Sequence, residues 1–327
     1  MKIAIADLRQ KMIGTLGKSF SETDANRIAD ILLWADMSGV GTMGIAKMTG
    51  TEPIQNIKPQ KDVTIERDTK LSQLIDAGGW PAPMVCERAA DVAIEKAKAH
   101  GFAIVGVHGT YSSNTTQAYY VDRIARQDLI GIMLSRSPGM LAPFNSIDPL
   151  FGANPIGFGF PTEEEPLIFD MTSAGITWYG MLLAKARGEQ LPEGTAIDKD
   201  GQPTTDPATA MHGAFLPFDR GHKGSGIGMV VELMAGPLAA SAFCDYKTFD
   251  KDYGTTIVAI DPELLVDVAT FKRQCSELIK TVKQSRPQPG TESVRLPGER
   301  SRAAYQAARA SGMVDVESTI LKELGYM

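Results

Sequence analysis

The sequence predicts an α/β fold with helical segments at both chain ends gathered on an alternating core. From residue 84 to 171, helix-period segments alternate with short apolar strand-like runs, the pattern of a sheet covered by helices. A stretch rich in Pro, Gly and scattered polar residues, 51–82, separates this core from a helical beginning. The tail from 295 reads as helix again, so residues 1–75 with 296–327 are expected as one domain and 76–295 as the other.

The elements follow in order. Residues 21–37, SETDANRIADILLWADM, begin with a serine N-cap and an acidic first turn and place Ile28, Ile31, Leu32 and Ala35 at helical spacing. A turn with glycines at 39, 41, 44 and 50 comes next, and the connector after it holds a short strand. Helix is expected at 84–101, strand at 102–109, helix at 116–128 and strands at 129–137 and 166–173. Beyond lie a helix at 177–188, a polar loop at 191–207, an apolar helix at 224–243, a strand at 255–262 and a helix at 267–283.

Composition excludes several functions. The net charge is −6 and no basic face is clustered, which argues against a nucleic-acid surface. No run approaches the length of a membrane span, and the first twenty residues carry charges throughout and lack a signal peptide's apolar core. Cys86, Cys244 and Cys275 are far apart and form no CxxC pair, so neither a zinc site nor a disulfide framework is signalled and a cytoplasmic setting is expected. The four histidines make no metal-ligand spacing, and no metal is expected.

The most conspicuous motif is HKGSGIGMVVEL, with Gly224, Gly226 and Gly228 opening an apolar helix. A dinucleotide fingerprint needs G-x-G-x-x-G directly after a strand, whereas position 229 is Met and the preceding segment is a poor strand, so the Rossmann reading fails. Two readings remain. Lys223 and the helix start suit an anion, or the glycines serve close packing. His108, after the strand FAIVGV, and His222, before the glycine-opened helix, are candidates to line a site.

The order of segments ADMSGVGTMGIAKM, LFGANPIGFGFP, IFDMTSAGITWYGM, LPEGTAIDKDGQPTTDP, HKGSG and RLPGER resembles the type 2 malate/L-lactate dehydrogenase family, over nearly the whole chain. The resemblance implies a nicotinamide-dependent reductase, usually dimeric, with a mixed sheet and flanking helices in a non-Rossmann fold of the sulfolactate dehydrogenase type. Carried over by position, it places NAD(P)H against Asp170, Met171, Thr172 and Ser173, then His222 and Lys223, then Gly298, Glu299 and Arg300. Arg295, Arg300 and Arg302 make a 2′-phosphate conceivable.

The chain departs from the family at the turn after the first long helix. There the family carries S-H-G-V-x-R, with a proton-donating His and an Arg that helps hold a carboxylate. The corresponding positions here are Thr42, Met43, Gly44, Ile45, Ala46 and Lys47. A second family His falls near Ser113, and the family's NS-turn Asn falls at Arg136. Two functions follow. One is a reductase of a small carboxylate-bearing substrate: a protonated imine needs no acid, with Lys47 or Arg136 on the carboxylate, whereas a carbonyl would take its proton from His108, Tyr111 or water. The other is a silent paralogue that binds cofactor or ligand, because Met43 is inert in acid–base chemistry. A homodimer is expected, since Met37, Val40 and Met43 make the turn too apolar for water.

Overall fold

The computed structural model describes residues 1–50, 52–244 and 252–327; Thr51, where the expected connector opens, lies outside them. The chain begins with β1 (Lys2–Ala4) and α1 (Ile5–Leu16), two elements the sequence reading leaves out. Leu8, Met12 and Leu16 recur every four residues along α1 and are buried against α2 (Glu22–Met37). Ser21 caps α2 by accepting the Asp24 N–H, as its sequence position predicts.

One short strand was expected in the connector; the chain forms two, β2 (Thr64–Asp68) and β3 (Ser72–Asp76). Then α3 (Ala82–His100), β4 (Phe102–Thr110), α4 (Gln117–Ala125) and β5 (Ile130–Ser135) follow the alternation read from sequence, and β7 (Leu167–Met171) the expected strand, while β6 (Ile156–Phe160) between them was not read as a strand. After α5 (Trp178–Arg187), the polar loop contains β8 (Ala196–Ile197), followed by α6 (Pro207–Ala210) and β9 (Ala214–Phe215). The chain closes with α7 (His222–Ala235), β10 (Tyr253–Ile260), α8 (Val268–Gln284), α9 (Glu299–Ser311), β11 (Met313–Asp315) and α10 (Ser318–Glu323).

Seven strands form one mixed sheet in the order β2-β3-β4-β10-β5-β6-β7. Only β3 and β4 run parallel, joined through α3, and every other pair is antiparallel. β10 is central, with Ile257 opposite Val105 on one side and Met133 on the other. α3 and α4 bury Val105, Met133 and Ile257 on one face, while Leu134, next to Met133 and therefore on the opposite face, packs with Val231 and Ala235 of α7. A Cβ at Gly159 would stand 2.2 Å from the Val121 carbonyl oxygen, so the glycine lets α4 lie close on β6.

The two chain ends meet, because β1 pairs antiparallel with β11 (Lys2 opposite Asp315). The expected domain limit at residue 75 falls inside β3, a strand of the main sheet. No helix among the described residues is long and apolar enough to cross a membrane.

Candidate active site

A cavity of about 1110 Å³ opens between the turn after α2, the end of β7, the start of α5 and one side of α9. The turn is a pair of tight 3₁₀ bends, Gly41–Met43 and Ile45–Met48, and it sends Met43 and Lys47 to the cavity. Beneath it Asp36 is buried and accepts the Ile45 N–H at 2.8 Å; burial pushes its carboxyl up to about 8. A Cβ at position 44 would lie 2.1 Å from an Asp36 carboxylate oxygen, so this turn needs glycine there.

Lys47 is the unusual cation of the site. It is only 7% exposed, and its Nζ sits 3.4 Å from the centroid of the Tyr179 ring. No carboxylate among the described residues pairs with it, and burial lowers its ammonium to about 7. Ser113 Oγ is buried with no hydrogen-bond partner among the described residues and lines the cavity together with Thr115, whose hydroxyl lies by the Tyr120 phenol. Such an orphaned hydroxyl suits a polar ligand.

Arg136 also reaches the cavity, but its guanidinium is committed elsewhere. It is wholly buried, donates to the Asp252 carbonyl at 2.5 Å and to the Ser137 carbonyl at 2.9 Å, and lies 3.6 Å from Glu232 Oε1. These contacts make Arg136 a brace between α7 and the sheet, while its side chain also lines the cavity.

The opposite wall carries the expected cofactor segments. Asp170 faces the cavity and accepts from Thr116 Oγ1 at 2.7 Å and the Ala118 N–H at 3.0 Å; open to the cavity yet surrounded by protein on its other sides, its carboxyl is raised above the usual range by desolvation. Met171 and Thr172 line the wall, while Ser173 is buried behind it with its hydroxyl on the Ala153 carbonyl at 3.0 Å. Gly298, Glu299 and Arg300 line the same wall with Arg295 and Arg302. Glu299 is held by Lys283, which keeps its carboxyl below the usual range, whereas Arg295 and Arg300 have no ion-pair partner among the described residues.

Several expected residues stand apart from the cavity. Thr42 belongs to the turn but does not line it. His108 lies 2.9 Å from Glu66 Oε2 and groups with Asp76, itself 2.5 Å from Lys61, at the other end of the sheet; three strands supply this cluster, so no spacing announces it. Tyr111 lays its ring over Gly79. His222 and Lys223 are exposed at the start of α7, where the Asp219 carboxylate already accepts the Gly221 and Gly224 N–H groups at 2.9 and 3.1 Å. The chain thus supplies its own anion to that helix start. Sequence reasoning missed Tyr179 and Thr115, which only their place around Lys47 and Ser113 reveals.

Comparison with known proteins gives the family and the fold. Residues 3–325 match the malate/L-lactate dehydrogenase family. The chain is 32% identical to a malate/(S)-sulfolactate dehydrogenase of Methanothermus fervidus, over 96% of this chain and 92% of the relative. It is 31% identical to a Δ1-pyrroline-2-carboxylate/Δ1-piperideine-2-carboxylate reductase of Pseudomonas putida, over 76% and 74%. Its fold superposes on the sulfolactate dehydrogenase of Methanocaldococcus jannaschii with a TM-score of 0.87 at 29% identity, covering 99% of this chain and 95% of that one.

Proposed function

The chain belongs to the type 2 malate/L-lactate dehydrogenase family, and on that premise we propose that it transfers hydride between NAD(P)H and the C=O or C=N carbon of a small carboxylate substrate. The observation that carries this reading is the division of one cavity into two chemistries. Arg295 and Arg300 stand on one wall, and the buried ammonium of Lys47 stands on another with Ser113; among the described residues Lys47 has no carboxylate partner and the Ser113 hydroxyl no hydrogen-bond partner. The volume exceeds the usual range for a single small ligand and leaves room for a dinucleotide beside a substrate.

The residues present fit a nicotinamide cofactor. Arg295 and Arg300 suit its diphosphate, Arg302 adds a cation for a 2′-phosphate, and Asp170 to Thr172 would line its path toward Met43. The bound cofactor supplies a hydride. The chain's own share is to enclose the reacting carbon, hold a carboxylate by Lys47 and exclude water behind Met43 and Tyr179. A silent paralogue would have no need for an unpaired buried cation, so Lys47 weighs against that alternative.

Two copies of the chain form the working assembly in this reading. The turn after α2 does not expose its apolar residues: Met37 is buried, and Val40 and Met43 are half-buried at the cavity. One uncovered apolar patch lies instead on α7 and just beyond, where Met229, Val230, Leu233, Leu238 and Phe243 are each at least half exposed.

Titration with NADH and NADPH, followed by a panel of 2-keto acids and cyclic imines, tests the proposal. Both cofactors should bind, and Arg300→Ala should weaken binding by about 1–3 kcal/mol, the range for losing a charge-assisted hydrogen bond. No binding of either cofactor would overturn the reading, and binding without turnover of any substrate would leave the silent paralogue.

A further inference from the structure

We propose that Lys47, on the second bend of the turn, is the proton donor of the reaction when a keto group is reduced. The proposal rests on the hydride-transfer reading above.

Geometry carries it. Lys47 follows Met43 by four residues in the same double bend, lines the same cavity and is almost wholly enclosed. Its one contact for charge among the described residues is the face of the Tyr179 ring, which attracts an ammonium without accepting its proton in a fixed ion pair. The other groups near enough to matter are each poorly placed. Asp170 is engaged by Thr116 and Ala118, Asp36 is sealed under Gly44 and bonded to Ile45, and the Tyr179 phenol is pushed above its ordinary range by burial and by Glu52. His108 and Tyr111 lie outside the cavity. Among the described residues, desolvation alone brings Lys47 near neutrality.

The chemistry follows from an ammonium's three donors. One N–H can lie on the substrate carboxylate and a second on the adjacent keto oxygen. As hydride arrives at the keto carbon with its two electrons from the reduced nicotinamide, the C=O π pair moves to oxygen. The Lys47 N–H bond breaks and the O–H bond of the 2-hydroxy acid forms. Lys47 is left as a neutral amine and regains a proton from water. A group that titrates near 7 is well matched to give and regain a proton at neutral pH.

Lys47→Arg and Lys47→Met, assayed with a 2-keto acid and with a preformed cyclic iminium, test this. Arginine keeps the charge that holds a carboxylate but does not release a proton. Both variants should lower kcat for the keto acid roughly 10²–10⁴-fold, the usual share of general-acid help, with KM nearly unchanged in Lys47→Arg. The iminium, already protonated on nitrogen, should lose far less kcat in Lys47→Arg, and cofactor affinity should stay at the wild-type value. In the wild type, kcat/KM for keto-acid reduction should fall as pH rises through about 7, and that for hydroxy-acid oxidation should rise over the same interval. An independent readout is the ¹³C-methyl titration of the cofactor-free protein, with the Lys47 signal assigned by its loss in Lys47→Arg. Full kcat in Lys47→Arg, or a Lys47 signal titrating near an ordinary lysine's value, would refute the donor role while leaving the reductase standing. Absence of all nicotinamide-dependent turnover in the wild type would remove the activity and the role together.

Discussion

Gly44 and Asp36 form one steric unit at the residue scale, since the carboxylate fills the space a side chain at 44 would need. Gly44→Ala should destabilise the protein by about 1–3 kcal/mol, the usual cost of overpacking, read as a lower urea midpoint with unchanged slope. The two buried ionisable groups of this region give stability opposite slopes with pH. Asp36 holds its proton in the folded state up to about 8 but loses it near 4 when unfolded, so its contribution is full at low pH and declines as pH rises from about 4 to 8. Lys47 is neutral in the folded state above about 7 but stays charged to about 10.4 unfolded, so its contribution grows between those values and is lost as pH falls through 7. Lys47→Met should therefore raise the urea midpoint at pH 6 more than at pH 10, and Asp36→Asn should flatten the decline between pH 4 and 8. Equal midpoint shifts at the two pH values in Lys47→Met would show that Lys47 is not desolvated.

Helix α7 shows at the element scale how a motif can be visible and its use hidden. Its glycines admitted two readings, and the structure sides with packing: Gly228 lies against Ser173, Leu141 and Phe151, and the helix start is taken by Asp219. Farther along, Glu232 is buried beside Arg136 and accepts from Asn154 Nδ2 at 2.7 Å, which explains the Asn of the GxNP stretch as a brace between β6 and α7. Removing Glu232 takes a buried acceptor from Asn154 and from the Cys244 N–H. Glu232→Ala should cost about 1–3 kcal/mol in chemical denaturation. The elements with strong period, α2 and then α3 to β5 above all, were legible because a local pattern suffices to set them. The hairpin β2–β3 and the helix α1 were not separated from their surroundings, as the outward β2 carries no alternation of burial and α1 shows its apolar stripe only beside α2.

Assembly belongs to the scale of the whole molecule. With Met229, Val230 and Leu233 projecting from α7, Leu233→Asp should convert a dimer at micromolar concentration to a monomer in sedimentation without unfolding it; a wild type that sediments as a monomer would end the two-copy proposal. The sequence by itself determined the family, the order of most elements and the segments 170–172 and 298–300 that come to line one wall of the cavity, because motif residues and helical or strand periods are written in neighbouring positions. Tertiary structure alone decided that β10, far along the chain, divides β4 from β5, that Arg136 is spent on Glu232 and Asp252, and that His108 sits with Glu66 and Asp76 away from the cavity. It also decided the chemistry of Lys47. A lysine's proton affinity is set by the water it loses and the charges it lacks, and both depend on residues such as Tyr179 that lie more than a hundred positions away and leave no mark in the local sequence.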